Sequence, residues 1–374
     1  MDRQEKLKLL ARAAQYDLCA ACGTHTSRVR DEIGHWLYPA ALPDGKRVAL
    51  LKVLQSNLCE NDCFYCANRR SRDFRRVEFS PEELAAAFDE LARRNRAQGL
   101  FLSSAVCDST CLTMEKMIAT VELVRVKYQF KGYVHLKLLP GCKQAAVERA
   151  VQIADRVSVN LEAPNAERLR RLSRDKNFER DLLQPLRWAK HFRDQELGAR
   201  AGLTTQFVVG AAGEADREIL STVAHMYQAS GLTRAYFSAF QPVPGTPLEN
   251  LTATPPLREH RLYQSDFLLR YYGFKLPDLI FDERGNLSSE SDPKLVWAQA
   301  HPEFFPIEIN RASKEELLRV PGIGPRSAAR ILHLRQQSRF RQIEDLRAIG
   351  AVAARAAPFV LLNGRHPPQQ LTLC

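Results

Sequence analysis

From residue 48 onward, short apolar runs alternate with longer stretches in which apolar residues recur every three or four positions. The runs at 48–54 (VALLKVL), 100–104, 134–138, 156–161, 204–209 and 235–240 predict six strands. Between them, 80–94, 113–128, 144–153, 178–195 and 216–230 predict helices. The first of these helices has a clear start: Ser80 as N-cap, Pro81 at the first helical position and Glu83 completing a capping box. Ahead of the alternation, 1–17 predicts an amphipathic helix with Leu7, Leu10 and Ala14 on one side, and 19–46 predicts an irregular segment. Behind it come a Pro- and Gly-rich loop at 241–256, a helix at 257–272 and a linker at 285–306. A small helical unit starts near residue 309.

Strand–helix alternation implies parallel strands covered by helices. Six units are too few for an eightfold barrel, and no Gly-x-Gly-x-x-Gly follows the first strand. An α/β fold with an open, six-unit partial barrel fits better than a doubly wound nucleotide fold. In either, the active site lies at the C-terminal ends of the strands. The expected divisions are an N-terminal segment at 1–47, the partial barrel at 48–256, a helical extension and linker at 257–308, and a small all-α unit at 309–374.

A length of 374 residues agrees with two or three domains. With 45% hydrophobic and 26% charged residues, the chain is neither mostly disordered, nor collagen-like, nor a coiled coil. No apolar run approaches the ~18 residues that cross a bilayer. The N-terminal MDRQEKLKLL carries charge where a signal peptide is apolar, so a cytoplasmic protein with no membrane partner is expected. The net charge is +11, and its location is informative: 309–374 holds eleven Lys or Arg against four Asp or Glu. A polyanionic partner at that end is the reading this suggests.

Nine cysteines in a reducing compartment point to metal or catalysis rather than disulfides. The densest group follows the first strand: Cys59-Glu-Asn-Asp-Cys63-Phe-Tyr-Cys66. Three thiolates so spaced can hold one [4Fe–4S] cube and leave an iron open, since such cubes normally take four cysteines. A structural zinc with a borrowed fourth ligand is the alternative. This triplet, at the end of the first strand of a six-fold alternation, resembles the radical S-adenosylmethionine superfamily. Further segments, among them YDLCAACG, HLKLLPG, VSVNLEAP, FVVGAAGE and FSAFQPVPGTPLE, resemble its branch of DNA modification or repair proteins.

The resemblance implies that Cys59, Cys63 and Cys66 hold the cluster and that S-adenosylmethionine chelates the open iron. It places Tyr65 against the adenine. One electron, from a donor such as flavodoxin or ferredoxin, would then cleave the sulfonium to a 5′-deoxyadenosyl radical that abstracts hydrogen. Members of this branch are associated with a uracil-DNA-glycosylase-like partner.

Other positions are candidates with a structural alternative beside each. Ser103 and Ser104 end the second strand, where the superfamily often has Gly-Gly-Glu contacting the cofactor's amino group. Asn160 and Glu162 end the fourth and could bond the ribose or cap a turn. Gly210 would admit backbone close to the adenine. Cys142 could return a hydrogen atom to a product radical. Cys19, Cys22, Cys107 and Cys111 could together hold a second cluster, or be buried as small hydrophobes. The basic run at 69–76, with Arg69 and Arg70, is either a solvated surface or a phosphate contact.

The second strong motif is at 309–331. Ser313 and Glu316 form a capping box, Pro321-Gly-Ile-Gly324 a tight hairpin, and Pro325 opens the next helix. This resembles the helix-hairpin-helix DNA-binding motif, with Gly322, Ile323, Gly324, Arg326 and Arg330 as backbone-phosphate contacts. Residues 340–360 resemble a degenerate second copy; packing against the barrel or a partner is the alternative role. The expected function is a radical enzyme that modifies or repairs DNA. An RNA-modifying enzyme and a non-catalytic iron–sulfur DNA-binding module that recruits a glycosylase-like partner stand as alternatives.

Overall fold

A computed structural model describes residues 2–14, 29–30, 36–41 and 47–368. The chain divides into two units, residues 1–260 and 261–374. Helix α1 (Arg3–Ala13) opens the first; Asp2 caps it and Lys6 pairs with Glu83 at 2.7 Å. An eight-stranded sheet follows in the order β1 (Val29–Arg30), β2 (Trp36–Ala41), β3 (Arg47–Leu54), β4 (Gly99–Ser103), β5 (Tyr133–Lys137), β6 (Arg156–Ser158), β7 (Leu203–Val209) and β8 (Leu232–Ala239). Strands β3 to β8 are parallel and curl into a half-barrel. Helices α2 (Pro81–Arg93), α3 (Thr110–Glu122), α4 (Gln144–Ile153), α5 (Ala166–Arg170), α6 (Gln184–Asp194) and α7 (Asp216–Ala229) connect them. The expected partial (βα)6 barrel is therefore present, and α2 starts with the capping box of Ser80 and Glu83.

Three expectations need correction. Residues 19–46 are not wholly irregular, because β1 and β2 extend the sheet antiparallel to β3. Proline disguises β2 in the sequence. Pro39 pairs with Ala49 but lies beyond the short β1, which reaches only Trp36 and Leu37, so its missing N–H interrupts no ladder there. The linker at 285–306 contains α9 (Pro293–Ala300), started by Asp292 as N-cap and Pro293 at the first position. The helix at 178–195 begins as a π-helical turn, Phe178–Leu183, before α6; Pro185 has no N–H to give residue 181.

Side chains alternate across the sheet. On β7, Leu203, Phe207 and Val209 are fully buried on the helix side, whereas Gln206 and Val208 on the concave side are half-buried. Register carries one concave row from Lys52 through Phe101 and His135 to Arg156. The next runs from Lys137 through Ser158 and Thr204 to Arg234. Contacts bear this out: Lys52 Nζ lies 4.7 Å from the Phe101 ring centre, Phe101 and His135 meet edge-on at 4.3 Å, and His135 Nε2 is 2.8 Å from Ser158 Oγ.

The first unit runs into α8 (Pro256–Tyr271). The second contains α9, β9 (Ile307–Glu308), α10 (Lys314–Arg319), α11 (Pro325–Leu334), α12 (Ile343–Ala348), α13 (Ala353–Ala356) and β10 (Val360–Leu361). Ile309, Leu317, Val320, Ile331, Leu346 and Val360 form its core. The region is helical as expected, with one addition: β9 and β10 pair in parallel, bringing the ends of the motif together. Among the described residues no helix is long and apolar enough to cross a membrane.

Candidate functional site

The cysteine triplet lies in the loop that leaves β3 at its C-terminal end. Backbone bonds pin this loop to neighbouring strand ends: Glu60 N donates to Val106 O at 2.7 Å and Phe64 N to Leu172 O at 2.8 Å. Inside it, Arg69 makes a two-pronged pair with Asp62, at 2.8 and 2.5 Å. Arg76 donates to the carbonyls of Asn57, Asn68, Arg69 and Arg72 and stacks on Phe74 at 3.8 Å. Arg69 is 5% exposed, so it braces the loop and is not presented to solvent. Arg72 is likewise turned to the Pro244 and Ala67 carbonyls, while Arg70 is exposed. The basic run is thus largely a scaffold. The sequence missed this because a guanidinium bracing carbonyls and one at a surface share the same letter.

Cys63 is buried and its thiol is 3.3 Å from Ser173 Oγ; Cys59 and Cys66 are half-buried. Burial raises the Cys59 thiol, and burial followed by repulsion from Cys63 pushes Cys66 up to about 12. Lys176 completes the pocket. Its side chain is 8% exposed, with Nζ 3.5 Å from Glu162 Oε1 and 5.9 Å from the Tyr65 ring centre. Burial alone would drain the charge from Lys176, but Cys63, Glu162, Cys66 and Cys59 hold it protonated. Three thiols that must shed protons together, beside a fixed buried cation, fit a thiolate-bound metal cluster. Among the described residues no group of three or more His, Cys, Asp or Glu side chains is placed to hold a single metal ion.

The remaining candidates fall as follows. Tyr65 is half-buried, and burial and the nearby Glu162, which shares a hydrogen bond with it, raise its phenol well above the ordinary range. Glu162 sits at φ +64° after β6 and engages Lys176. Ser103 is buried on β4; Ser104 Oγ accepts from Ser56 N at 3.2 Å; Asn160 is half-buried beyond β6. Gly210 has φ +95°, and a Cβ there would meet Thr254 Oγ1 at 2.0 Å, so close packing of Thr254 already demands glycine. Cys142 is buried in the turn after β5, and burial raises its thiol to about 12. Cys107 is buried beside Glu78, whereas Cys111 is exposed beside Glu115. Their intended cluster partners Cys19 and Cys22 lie outside the described residues.

In the second unit, Ser313 and Glu316 cap α10 reciprocally, and Gly324 and Pro325 start α11. Gly322 adopts φ +87° in the hairpin. Ile323 N donates to Val320 O and its side chain enters the core, so this residue shapes the turn from within. Arg326 is exposed in the first turn of α11. Arg330 donates to Ile349 O at 2.8 Å, which ties the first copy of the motif to the second.

Behind the hairpin Lys294 is 7% exposed, donates to Ile323 O at 2.6 Å, and lies over the Tyr272 ring. Burial pulls its ammonium down to about 7, against the pull of Asp292. The unfolded chain keeps this proton up to about pH 10, so folding releases it between those values and stability rises with pH across that window. Below about pH 7 the penalty is fully present. The gain should be on the order of 4 kcal/mol. Thermal melts of the wild type against Lys294→Met from pH 6.5 to 10 check it: only the wild type should show the rise.

Residues 53–226 match the radical SAM superfamily, and residues 304–356 match the helix-hairpin-helix motif. No curated protein matches the chain. Among solved structures, methylornithine synthase is 16% identical, with a TM-score of 0.48 over 59% of this chain and 61% of that one. The FeFe-hydrogenase maturase HydG from Carboxydothermus hydrogenoformans is 15% identical, with a TM-score of 0.47 over 59% and 51%. The chain thus spans between half and two thirds of the length of these two relatives.

Proposed function

Given a radical SAM superfamily domain across residues 53–226 and a helix-hairpin-helix motif across residues 304–356, we propose that this chain is a cytoplasmic enzyme that modifies or repairs DNA by radical chemistry. The observation that carries the reading is the loop of three thiols at the end of β3, closed by Arg69 on Asp62 and backed by the buried Lys176. When bound, a [4Fe–4S] cluster and S-adenosylmethionine would supply one-electron cleavage of the sulfonium and a hydrogen-abstracting radical. Cys59, Cys63 and Cys66 would hold the cluster. Lys176 would offset the charge of the thiolates, and Tyr65, oriented by Glu162, would flank the cofactor.

Glycine-rich turn backbone and Arg326 at the start of α11 support phosphate contact by the second unit, which positions a polymer without reading its bases. A target atom within a duplex would have to be flipped out to reach the half-barrel. A flavodoxin or ferredoxin as electron donor and a glycosylase-like protein as partner belong to this proposal on the sequence resemblance alone.

The test is release of 5′-deoxyadenosine by anaerobically reconstituted, reduced protein, alone and with DNA or RNA. Stimulation by DNA is expected. Stimulation by RNA alone would replace the substrate. Cluster-loaded protein that releases none with any addition would leave a non-catalytic binding module.

A further inference from the structure

Lys294 stands where stability alone would not put a cation. It lies in the first turn of α9, where the helix dipole is already positive, and it is 7% exposed. Its Nζ donates to the carbonyl of Ile323, in the hairpin that precedes α11, at 2.6 Å. We propose that Lys294 is an inner part of the phosphate grip: its ammonium, seated behind the hairpin, strengthens the hold of the turn's outward N–H on a phosphodiester backbone. This deepens the reading of the second unit as a nucleic-acid contact, and rests on it.

The coupling runs through the peptide that joins Ile323 to Gly324. A trans peptide sets its C=O and N–H on opposite sides. With the Ile323 oxygen turned inward to Lys294, the Gly324 N–H is turned away from the lysine, at the N-cap of α11. Pro325 follows, and then the exposed Arg326. A cation on the carbonyl oxygen polarises the whole peptide and makes its N–H a stronger donor. It also attracts the phosphate directly. The ammonium and a phosphate oxygen held by Gly324 N–H would lie about 8 Å apart, at the two ends of one peptide unit. Near a protein surface, attraction over that distance corresponds to about tenfold in affinity. The Tyr272 ring, 4.7 Å from Nζ, holds the ammonium in place without neutralising it.

The surrounding groups act on Lys294 in both senses. Asp292, the N-cap of its own helix, favours the ammonium, but this carboxylate is shared with Arg355 of α13 and accepts from Leu295 N at 3.3 Å. Arg355 itself, and Arg319 at the end of α10, oppose the ammonium; Arg319 is paired with Asp278 at 3.1 Å. Tyr272 faces it from just beyond α8, and the hairpin before α11 supplies the carbonyl. Burial is the largest influence and brings the ammonium close to losing its proton at neutral pH. A phosphate across the turn favours the charged form, so binding takes up a proton and is tighter at lower pH.

The experiment follows the binding of a short fluorescent DNA duplex to the full chain by anisotropy, at one ionic strength and at about pH 6.5 and about pH 9. It compares the wild type with Lys294→Met and Lys294→Gln. At the lower pH the wild type should bind about five- to tenfold more tightly than Lys294→Met, and at the higher pH the two should bind alike. Lys294→Gln keeps a donor for the Ile323 carbonyl but carries no charge, so it should follow Lys294→Met; it also decides the matter if the Met variant fails to fold. Every other titrating group is common to the three proteins, so its effect cancels in their ratio. A wild-type advantage of the same size at both pH values would make Lys294 a packing residue and overturn the proposal. So would a Gln variant that binds as tightly as the wild type at the lower pH. Tight binding by all three alike would remove this inference alone. A wild type that binds no duplex at either pH would remove the nucleic-acid reading itself.

Discussion

Replacing Cys63 by Ala should leave the protein unable to retain iron. After anaerobic reconstitution, iron and sulfide should fall from about four of each to background, and the broad visible absorption of the cluster should vanish with them. Cys63 is the strictest test of the triplet. It is the most buried of the three thiols and is set by Ser173, so no solvent-borne ligand can replace it without displacing the loop. With only three protein thiolates for four irons, the site has no spare ligand. Deoxyadenosine release should drop by at least about a thousandfold, because without the cluster there is no route for the electron. Cys107→Ala and Cys111→Ala should keep the count near four. A wild-type count near eight that halves in Cys107→Ala would instead establish a second cluster. A Cys63→Ala protein with a full cluster would sink the assignment of the site.

How much of this was legible in the sequence follows from which interactions are local. The triplet, the Ser80 and Ser313 capping boxes and the Pro-Gly-Ile-Gly hairpin are local patterns, and each lies where the residues announce it. The six parallel strands are legible as well, because helix-covered strands must be apolar on at least one face. What the sequence hid is set by distant partners. Lys176 follows Cys66 by more than a hundred residues, and only the fold brings it to Tyr65 and Glu162. Arg69 reads as a surface cation until Asp62 is seen to clamp it. Gly210 reads as room for a cofactor until Thr254 is seen to fill that space. Strand β2 is missed because Pro39 argues against a strand everywhere except beside a short edge.

Gly322→Ala should damage both the stability of the second unit and its hold on nucleic acid. At φ +87° the backbone is in the left-handed region, which costs a residue with a Cβ roughly 1–2 kcal/mol. The added Cβ would also meet Val352 O at 2.5 Å and Ala356 N at 3.1 Å, both backbone atoms that cannot swing aside. Val352 N donates to Gly322 O at 2.9 Å, so relief of the clash would break one of the bonds that join the two copies of the motif. A total near 3 kcal/mol is expected, together with a loss of DNA affinity of more than about tenfold. That loss has two readings, damaged packing or damaged phosphate contact, and Arg326→Ala separates them. Arg326 is exposed and starts α11, so its removal should leave the melting temperature unchanged. It should weaken DNA binding several-fold and flatten the dependence on salt by about one unit of slope. If Arg326→Ala binds DNA with the wild-type affinity and salt slope while Gly322→Ala only melts earlier, the hairpin is a packing element. The polymer must then be gripped elsewhere.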